Sequence, residues 1–489
     1  VFSGKMLVLL LVAAAFAAPA AKNDALARLQ AAIGGAVALE HHKNMLSSVI
    51  GDQEYIVEPR RAASLIQGNH SSLRGSRRPN ENEVNEPISE YLYQGDIMLT
   101  AADMARMTAE SGSIRSKRGA PNVLSKRFNK NQPIGFVFSS EIPDESRKLI
   151  RETLAKITSN TCITFKENYA VGTQIKFLRG GGCWSVVGEQ ADPRYSGYHP
   201  ISIEELCERP GSISHEVFHA LGLDHTHTRK DRDSFVTVKS ELIYPGKEHN
   251  FKKLSDAENN NFGVPYEYGS ALHYYPTDFT TVEGKPVLVL KYKDYENTIG
   301  QRDEATYDDF RLVNALYSCS AQCSKQMVCQ NGGYPSPKDC NACVCPEFYT
   351  GATCQTPRNL LALTASTPSL KSTFHQDQNN AIFGKKEKSL YGRDAPRVIT
   401  APAGRKIRVT LSQISLNNGK MKSCPGHASE IAGIEIRDAP GGDLTTLGKL
   451  FHCPTLEGYS FVSQSNVVGY KAYIQPGMNT DITVTYTLV

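Results

Sequence analysis

No segment of the sequence is apolar for long enough to cross a membrane, which requires about 20 residues. The one marked apolar run, from Met6 to Ala18, is shorter, follows Lys5 and is succeeded by small residues up to Ala20. That order of charge, apolar run and small residues is typical of a secretory signal peptide. The sequence therefore predicts a signal peptide over residues 1–20 and no membrane span.

The sequence also has little excess of charge of either sign. It contains 54 lysines and arginines against 50 aspartates and glutamates, a formal net charge of +4. So small an imbalance does not create the extended positive potential with which proteins bind nucleic acids or anionic membrane surfaces. Neither class of partner is predicted.

Cysteine is absent from the first 161 residues, although the 489-residue chain contains 12 cysteines. An even number of cysteines behind a signal peptide indicates an oxidising compartment and up to six disulfides. Together these features predict a secreted, extracellular protein. The length is too great for one compact core and predicts two to four domains.

The residues that carry chemistry lie between His215 and His225, which read HEVFHALGLDH. His215 and His219 are four residues apart and so share one face of a helix. Gly222 can adopt the positive φ angle of a sharp turn after that helix, which would return His225 to the same point. Glu216 can act as general base toward an attacking water. This register predicts one catalytic Zn²⁺ ion held by His215, His219 and His225.

A simpler interpretation is that these are ordinary histidines on an amphipathic helix. Ile213, Val217 and Leu221 would give that helix an apolar face. We prefer the metal site because three histidines, a glutamate and a glycine all occur at the spacing that a catalytic zinc site needs.

Residues 21–118 are polar, contain no cysteine and end in the basic sequence Arg115-Ser116-Lys117-Arg118. A basic run usually marks a solvated surface. This basic run, however, lies between the segment that begins with the signal peptide and the histidine motif. It also matches the sequence that furin-like processing proteases recognise. We predict a pro-segment over residues 21–118, a processing site at Arg118 and, within an Asn-His-Ser sequon, glycosylation of Asn69.

The rest of the chain divides by composition. Residues 119–320 mix strand and helix patterns, such as a strand over Ile134–Phe138 and an amphipathic helix over Pro143–Ile157. Residues 321–357 are too few to bury a hydrophobic core, so their fold must be stabilised by disulfides. Their six cysteines allow many pairings, and a zinc ribbon is the alternative interpretation. These cysteines are Cys323, Cys329, Cys340, Cys343, Cys345 and Cys354.

Residues 358–489 are rich in alternating apolar and polar residues. Ile407–Leu411 and Ile482–Leu488 show this pattern, which predicts half-buried antiparallel strands of an all-β sandwich. Cys424 and Cys453 are the only cysteines of this region, and we expect one disulfide between them.

With these features in place, the sequence resembles the astacin family of zinc endopeptidases, a branch of the metzincins. Beyond the histidine motif, the resemblance is carried by Thr161–Phe165, by Gly182–Gly188 and by Ile299-Gly300-Gln301-Arg302. It implies a metzincin-type α+β catalytic domain over residues 119–320, followed by an EGF-like module and a CUB-like sandwich. That order of modules is similar to many nematode astacins and to tolloid-like enzymes.

The resemblance also implies roles for individual residues. Tyr274 matches the tyrosine that astacins use as a further zinc ligand and oxyanion donor. Asp96, within Tyr93–Ile97, matches the pro-segment aspartate that occupies the position of the catalytic water. Leu272 stands where the family has methionine, and Thr226 where it has glutamate. The implied disulfides are Cys162–Cys319, Cys183–Cys207, Cys323–Cys340, Cys329–Cys343 and Cys345–Cys354.

The sequence thus predicts a secreted zinc-dependent endopeptidase, made as a zymogen, that hydrolyses peptide bonds in extracellular proteins. The alternative is a catalytically impaired homologue that binds protein ligands through its EGF-like and CUB-like modules. A zinc-dependent hydrolase with other substrates is a third possibility. The three predicted ligands, Glu216 and Tyr274 are all present, which favours the first interpretation.

Overall fold

The computed structural model of the protein describes most of the chain from residue 24 onward. The predicted signal peptide, Asn69, Arg118, Cys424 and Cys453 lie outside the described residues. No helix within the described part is long and apolar enough to cross a membrane. The described residues are 24–50, 79–111, 126–255, 259–324, 327–376, 392–393, 396–416, 432–438, 442–451, 457–474 and 480–489.

The N-terminal segment (residues 24–50 and 79–111) is helical. Its helices are α1 (24–33), α2 (Ala36–Ile50), α3 (Glu81–Val84) and α4 (Ala101–Ser111), with a 3₁₀ helix over Glu86–Tyr91. Its apolar side chains, among them Leu29, Ile33 and Ile88, pack against Leu178 and Trp184 of the following domain. The segment is therefore docked on that domain through buried apolar surface.

The α+β domain (residues 126–320) contains a five-stranded sheet. Its strands are β1 (Ile134–Phe138), β2 (Phe165–Glu167), β3 (Ile175–Leu178), β4 (Trp184–Ser185) and β5 (His199–Ser202). They lie in the order β2-β1-β3-β5-β4, all parallel except for β4 at the edge. A two-stranded sheet of β6 (Val236–Val238) and β7 (Leu288–Leu290) lies further along the chain.

Three long helices complete this domain: α5 (Asp144–Asn160), α6 (Pro210–Ala220) and α7 (Tyr307–Leu316). The apolar residues of α5 follow the helical period, with Ile150, Leu154 and Ile157 on one buried face. They join Ile213 and Val217 of α6 in the largest core cluster. The strand predicted over Ile134–Phe138 is confirmed, and the predicted amphipathic helix extends three residues beyond Ile157, to Asn160.

The cysteine-rich module (residues 321–357) has only short strands and three disulfides. The strands are β8 (Tyr334–Pro335), β9 (Cys343–Val344), β10 (Tyr349–Thr350) and β11 (Thr356–Pro357). All six of its cysteines are disulfide-bonded, so the zinc-ribbon interpretation is wrong. The five disulfides of the described residues are the pairs that the family resemblance implied: Cys162–Cys319, Cys183–Cys207, Cys323–Cys340, Cys329–Cys343 and Cys345–Cys354.

The β-module (residues 358–489) is a two-sheet sandwich, as the alternation predicted. The strands are β12 (Leu361–Ala362), β13 (Ser369–Gln376), β14 (Gly392–Arg393), β15 (Arg397–Thr400), β16 (Ile407–Leu416), β17 (Ala432–Arg437), β18 (Lys449–Phe451), β19 (Ser460–Val462), β20 (Val467–Ile474) and β21 (Thr480–Leu488). One sheet has the order β12-β15-β20-β17-β18 with β14 beside β20, and the other has the order β13-β21-β16-β19. Residues of both sheets, including Ile434, Tyr470 and Val484, share one buried core.

Candidate metal centre

Helix α6 and the turn after it bring the three predicted histidines together. The helix begins at Pro210, whose missing N–H costs nothing in the first turn. It ends in a hydrogen-bonded turn in which Gly222 has a φ of +99° and the N–H of Leu223 donates to the carbonyl of Phe218. The chain then returns, so that His225 lies beside the helix.

Hydrogen bonds fix the orientation of all three imidazoles. Each ring has its Nδ1 close to a carbonyl or amide oxygen, and these oxygens can only accept. Nδ1 must therefore carry the hydrogen, which leaves Nε2 of the neutral ring with a free lone pair. The pairs are His215–Ala271 at 2.7 Å, His219–Leu223 at 2.8 Å and His225–Gln94 at 3.0 Å.

The Nε2 atoms converge with a carboxylate of the N-terminal segment. Nε2 of His215 lies 3.0 Å from Nε2 of His219, and Oδ2 of Asp96 lies 3.0 Å from Nε2 of both His215 and His225. The four ligand atoms lie within 4.8 Å of one another, and all four residues are buried. Two unprotonated nitrogens do not hydrogen-bond, so this arrangement fits a shared cation.

The donor set fits zinc in particular. Three imidazoles and one carboxylate are ligands that zinc accepts in a tetrahedral site. Ligand atoms at about 2.0–2.2 Å from one tetrahedral ion lie roughly 3.3–3.6 Å apart, which is close to the 3.0 Å separations of three pairs in this cluster. His215, His219 and His225 are therefore the residues that would hold zinc, with Asp96 as the fourth ligand.

Glu216 lies next to the cluster and is fully buried. Neither of its carboxylate oxygens has a hydrogen-bond partner among the described residues. Burial, together with the negative charges of Asp96 and Glu81, raises the pKa of Glu216 well above its ordinary value. A buried, unpaired carboxylate costs stability and is typical of a functional position.

Tyr274 lies beside the third histidine, but its hydroxyl points to the N-terminal segment. The hydroxyl donates to the carbonyl of Gln94 at 2.5 Å. Its ring stacks on that of His227 with centroids 3.7 Å apart and contacts His225 edge-on at 4.7 Å. His227, which the motif alone does not explain, is therefore a support for Tyr274.

The two residues that depart from the family pattern are both accommodated. Leu272 is buried in the same core cluster as Val217 of α6. Leucine in place of methionine keeps apolar volume there. Thr226 donates from its hydroxyl to that of Ser270 at 2.9 Å, and Ser270 donates to Oδ1 of Asp309 at 2.6 Å. The first departure is therefore packed in the core, and the second is hydrogen-bonded.

Backbone hydrogen bonds hold Asp96 over the histidines. The N–H of Ser185 in β4 donates to the carbonyl of Asp96 at 3.0 Å, and the N–H of Met98 donates to the carbonyl of Ser185 at 2.9 Å. The N-terminal segment thus extends the sheet along its edge strand. Asn85 adds a clamp, because its amide accepts the N–H of Cys183 at 2.7 Å and donates to the same residue's carbonyl at 2.6 Å.

A buried ion pair forms a second anchor of this segment. Nε of Arg302 lies 2.6 Å from Oε2 of Glu81, and both side chains are almost completely buried. Although burial opposes ionisation, the charge of Arg302 lowers the pKa of Glu81 to about 2. Sequence reasoning missed this pair and the Asn85 clamp, because neither Glu81 nor Asn85 belongs to a motif.

Comparison with known proteins supports the same family. A family model for the astacin peptidases matches residues 122–318. Zinc metalloproteinase nas-28 of Caenorhabditis elegans is 29% identical over 399 residues, which cover 80% of this chain and 78% of that protein. Zinc metalloproteinase nas-27 of the same organism is 32% identical over 299 residues, which cover 60% of this chain and 66% of that protein.

Solved structures include one of similar sequence. High choriolytic enzyme 1, a hatching enzyme zinc-protease from Oryzias latipes, is 31% identical, with 41% of this chain and 93% of that chain covered and a TM-score of 0.35. The region that the family model matches contains all three histidines, Glu216 and Tyr274. The chain therefore belongs to the astacin family of zinc metalloendopeptidases.

Proposed function

We propose that the chain is the secreted zymogen of an endopeptidase that hydrolyses peptide bonds in extracellular proteins. One observation carries the proposal: three imidazoles converge through Nε2 beside an unpaired glutamate, and a carboxylate of the N-terminal segment closes the group. The histidines and Glu216 supply the parts of a metal-assisted hydrolase. The carboxylate supports a latent form.

Different residues of the chain have different roles in hydrolysis. Bound zinc would act as a Lewis acid and lower the pKa of water to about 7. Glu216 takes a proton from the attacking water and passes it to the leaving amine, and burial strengthens it as a base. Tyr274, once released from the carbonyl of Gln94, donates its hydroxyl hydrogen to the developing oxyanion.

Latency follows from the position of the N-terminal segment. The carboxylate of Asp96 closes the histidine cluster as its fourth ligand, and the backbone beside it pairs with edge strand β4, where an extended substrate could otherwise bind. We propose that a furin-like protease cleaves after Arg118 and that release of residues 21–118 opens the site. The predicted signal peptide over residues 1–20 and glycosylation at Asn69 are part of this proposal.

The C-terminal modules complete the proposed architecture. We propose an EGF-like module over residues 321–357, a CUB-like module over residues 358–489 and a disulfide between Cys424 and Cys453. Five disulfides in the described residues support an extracellular location. Both modules offer surfaces for protein ligands, and extracellular proteins are the proposed substrates.

Metal dependence tests the proposed activity directly. The full chain, cleaved after Arg118 and freed of its N-terminal segment, should cleave an unfolded protein. A chelator should abolish cleavage and added zinc should restore it, because the histidines alone provide no electrophile. Fragment formation is followed by electrophoresis, with metal content measured in each sample. Absence of cleavage with zinc bound would favour the alternative, a binding protein that acts through its C-terminal modules.

We expect the N-terminal segment to bind more weakly as the pH rises, because of the carboxyl group of Asp278. Its carboxylate accepts hydrogen bonds from Asn80 at 2.7 Å and Asn82 at 2.8 Å. Burial, and then the charge of Glu83, raise the pKa of Asp278 to about 7. The docked form therefore holds a proton that the open form releases above its ordinary pKa of 3.8, so docking is lost progressively between about pH 4 and pH 7.

The test uses the chain cleaved after Arg118 with the segment still bound. Its dissociation constant should rise about a hundredfold between pH 5 and pH 8 through this group. Asp278→Asn cannot titrate and should remove that part of the pH dependence, leaving whatever other groups contribute. An identical pH profile in Asp278→Asn and the parent would show that Asp278 is not responsible.

A further inference from the structure

The β-module contacts the α+β domain at the turn that lies beneath the three histidines. This turn spans residues 266–274, and its Ala271 carbonyl accepts the Nδ1 hydrogen of His215 at 2.7 Å. The contacting surface is the docking loop (residues 443–449), which precedes and enters β18. A module that is distant in sequence therefore packs against the residues that orient a metal ligand.

Glu267 joins the docking loop to the turn. Its Oε1 accepts the N–H of Leu447 at 2.6 Å, and its Oε2 accepts the hydroxyl hydrogen of Thr306 at 2.5 Å. Thr306 caps helix α7, whose Asp309 accepts the N–H of Ala271 at 2.9 Å. A continuous path of hydrogen bonds thus runs from the β-module to the carbonyl that orients His215.

Close packing accompanies these hydrogen bonds. A Cβ atom added to Gly269 would lie 2.5 Å from Cδ2 and 2.8 Å from Cβ of Leu447, well inside contact distance. The Gly269 carbonyl accepts a hydrogen bond from Gln301 at 2.6 Å, which holds the turn in place from its other side. The backbone of Gly269 is outside the positive-φ region, so the need for glycine here is the approach of Leu447.

The docking loop is built rigidly from within its own module. Arg437 donates to the carbonyls of Leu444 at 2.7 Å and Thr445 at 2.9 Å, and Glu435 accepts the N–H of Gly448 at 2.8 Å. Arg437 and Glu435 are themselves paired at 2.6 Å and buried. Lys471 lies 3.0 Å from Glu435 and Glu347 lies 3.6 Å from Arg437, so a network of opposite charges holds the loop in one conformation.

Two further contacts fix the loop against the α+β domain. The hydroxyl of Thr298 donates to the carbonyl of Gly448 at 2.8 Å, and Nζ of Lys449 lies 3.2 Å from Oδ2 of Asp294. These two contacts hold the loop on the C-terminal side of Leu447, whereas those of Arg437 hold it on the N-terminal side. A rigid loop that packs against the turn can determine the position of the turn, whereas a mobile loop could not.

We propose that Glu267 is a positioning residue of the metal centre and that the β-module, through Leu447, sets the placement of the turn that orients His215. The inference rests on the proposed function, because positioning is expressed in peptide hydrolysis. It assigns the C-terminal module a part in catalysis that is separate from any ligand that the module binds. Even a short peptide that cannot reach the β-module should be cleaved more slowly when this contact is disturbed.

The test introduces a steric clash into the full-length, processed chain and then removes it with a second substitution. Gly269→Ala forces Leu447 away and should lower kcat for a short peptide about tenfold, as loss of groups that orient metal ligands typically does. KM should change less than kcat, because the variant does not alter a substrate-binding surface. Gly269→Ala/Leu447→Gly removes every side-chain atom of Leu447 from the path of the new methyl group and should return kcat to the level of Leu447→Gly.

Glu267 provides a second, independent comparison. Glu267→Gln keeps an oxygen that can accept the N–H of Leu447, whereas Glu267→Ala loses both hydrogen bonds. We expect kcat to fall about tenfold in the alanine variant and to be largely retained in the glutamine variant. Thermal unfolding of both variants identifies any loss that is due to poor folding.

Amide hydrogen exchange of the metal-free full chain separates failure of this inference from failure of the proposed function. Exchange at residues 266–274 should increase in Gly269→Ala and return in the double variant, whether or not the parent cleaves peptides. Unchanged kcat and exchange in Gly269→Ala would overturn the inference. So would a double variant no better than the single one, because the loss would then not arise from contact with Leu447.

Discussion

Glu216→Gln is expected to abolish peptide cleavage by the processed chain while zinc stays bound. The side chain is fully buried, and its oxygens accept no hydrogen bond from the described residues, so the amide should fit without rearrangement. Glutamine cannot take a proton from water. General-base catalysis contributes about 10²–10⁴-fold to rates, and the loss in kcat should fall in that range or exceed it.

The zinc content of the variant and its thermal stability decide how a loss of activity is interpreted. Glu216 is not one of the four converging ligands, so the metal content should match that of the parent. Glu145→Gln makes the same chemical change on the exposed side of helix α5 and should leave kcat unaltered. Parental kcat in Glu216→Gln would rule out the proposed role of this carboxylate.

Tyr274→Phe offers a graded comparison with the same substrate. The phenyl ring can keep the stack on His227, so only the hydroxyl hydrogen is lost. Removal of one oxyanion donor typically costs on the order of 10²–10³ in kcat. We expect this variant to be slowed less severely than Glu216→Gln, because the water can still be deprotonated.

Local patterns predicted that the three histidines converge. Two histidines four residues apart fix a shared helical face, and Gly222 permits the return of His225 without any information about distant residues. The strand at Ile134–Phe138 is likewise set by neighbouring residues. Helix α5 differs from the prediction only at its ends, since Pro143 is its N-cap and Thr161 ends it.

Contacts between distant parts of the chain could not be predicted in this way. Glu81 and Arg302 are 221 residues apart, and Glu267 and Leu447 are 180 residues apart. Each pair joins two parts that are far apart in the sequence, and nothing in either local sequence indicates its partner. Cysteine spacing likewise left the pairing open until the family resemblance supplied it.

Asp96→Ala is expected to weaken the binding of the N-terminal segment by about 10²–10⁴-fold. In the chain cleaved after Arg118, Asp96 would bring a buried negative charge to zinc, and its Oδ2 lies 3.0 Å from Nε2 of His215 and of His225. Removing one partner of such a buried pair costs about 3–5 kcal/mol, which corresponds to that loss of affinity. The dissociation constant is obtained from equilibrium binding of the labelled segment, a readout that needs no activity and therefore also serves the metal-free protein.

The structure provides a matched control and an independent anchor for comparison. Asp24→Ala removes an exposed carboxylate from the same segment and should leave the dissociation constant unchanged. Glu81→Gln breaks the buried pair with Arg302 and should weaken docking by a similar factor to Asp96→Ala, but without any involvement of zinc.

Metal removal separates these two anchors. If Asp96 holds the segment through zinc, the difference in dissociation constant between Asp96→Ala and the parent should largely disappear in metal-free protein. There the positive charge of zinc, which attracts the carboxylate, is absent. The effect of Glu81→Gln should persist, because Arg302 keeps its charge. An Asp96→Ala effect of equal size with and without zinc would show that the aspartate acts through packing and hydrogen bonds, and latency would then have to depend on the Glu81, Asn85 and edge-strand contacts.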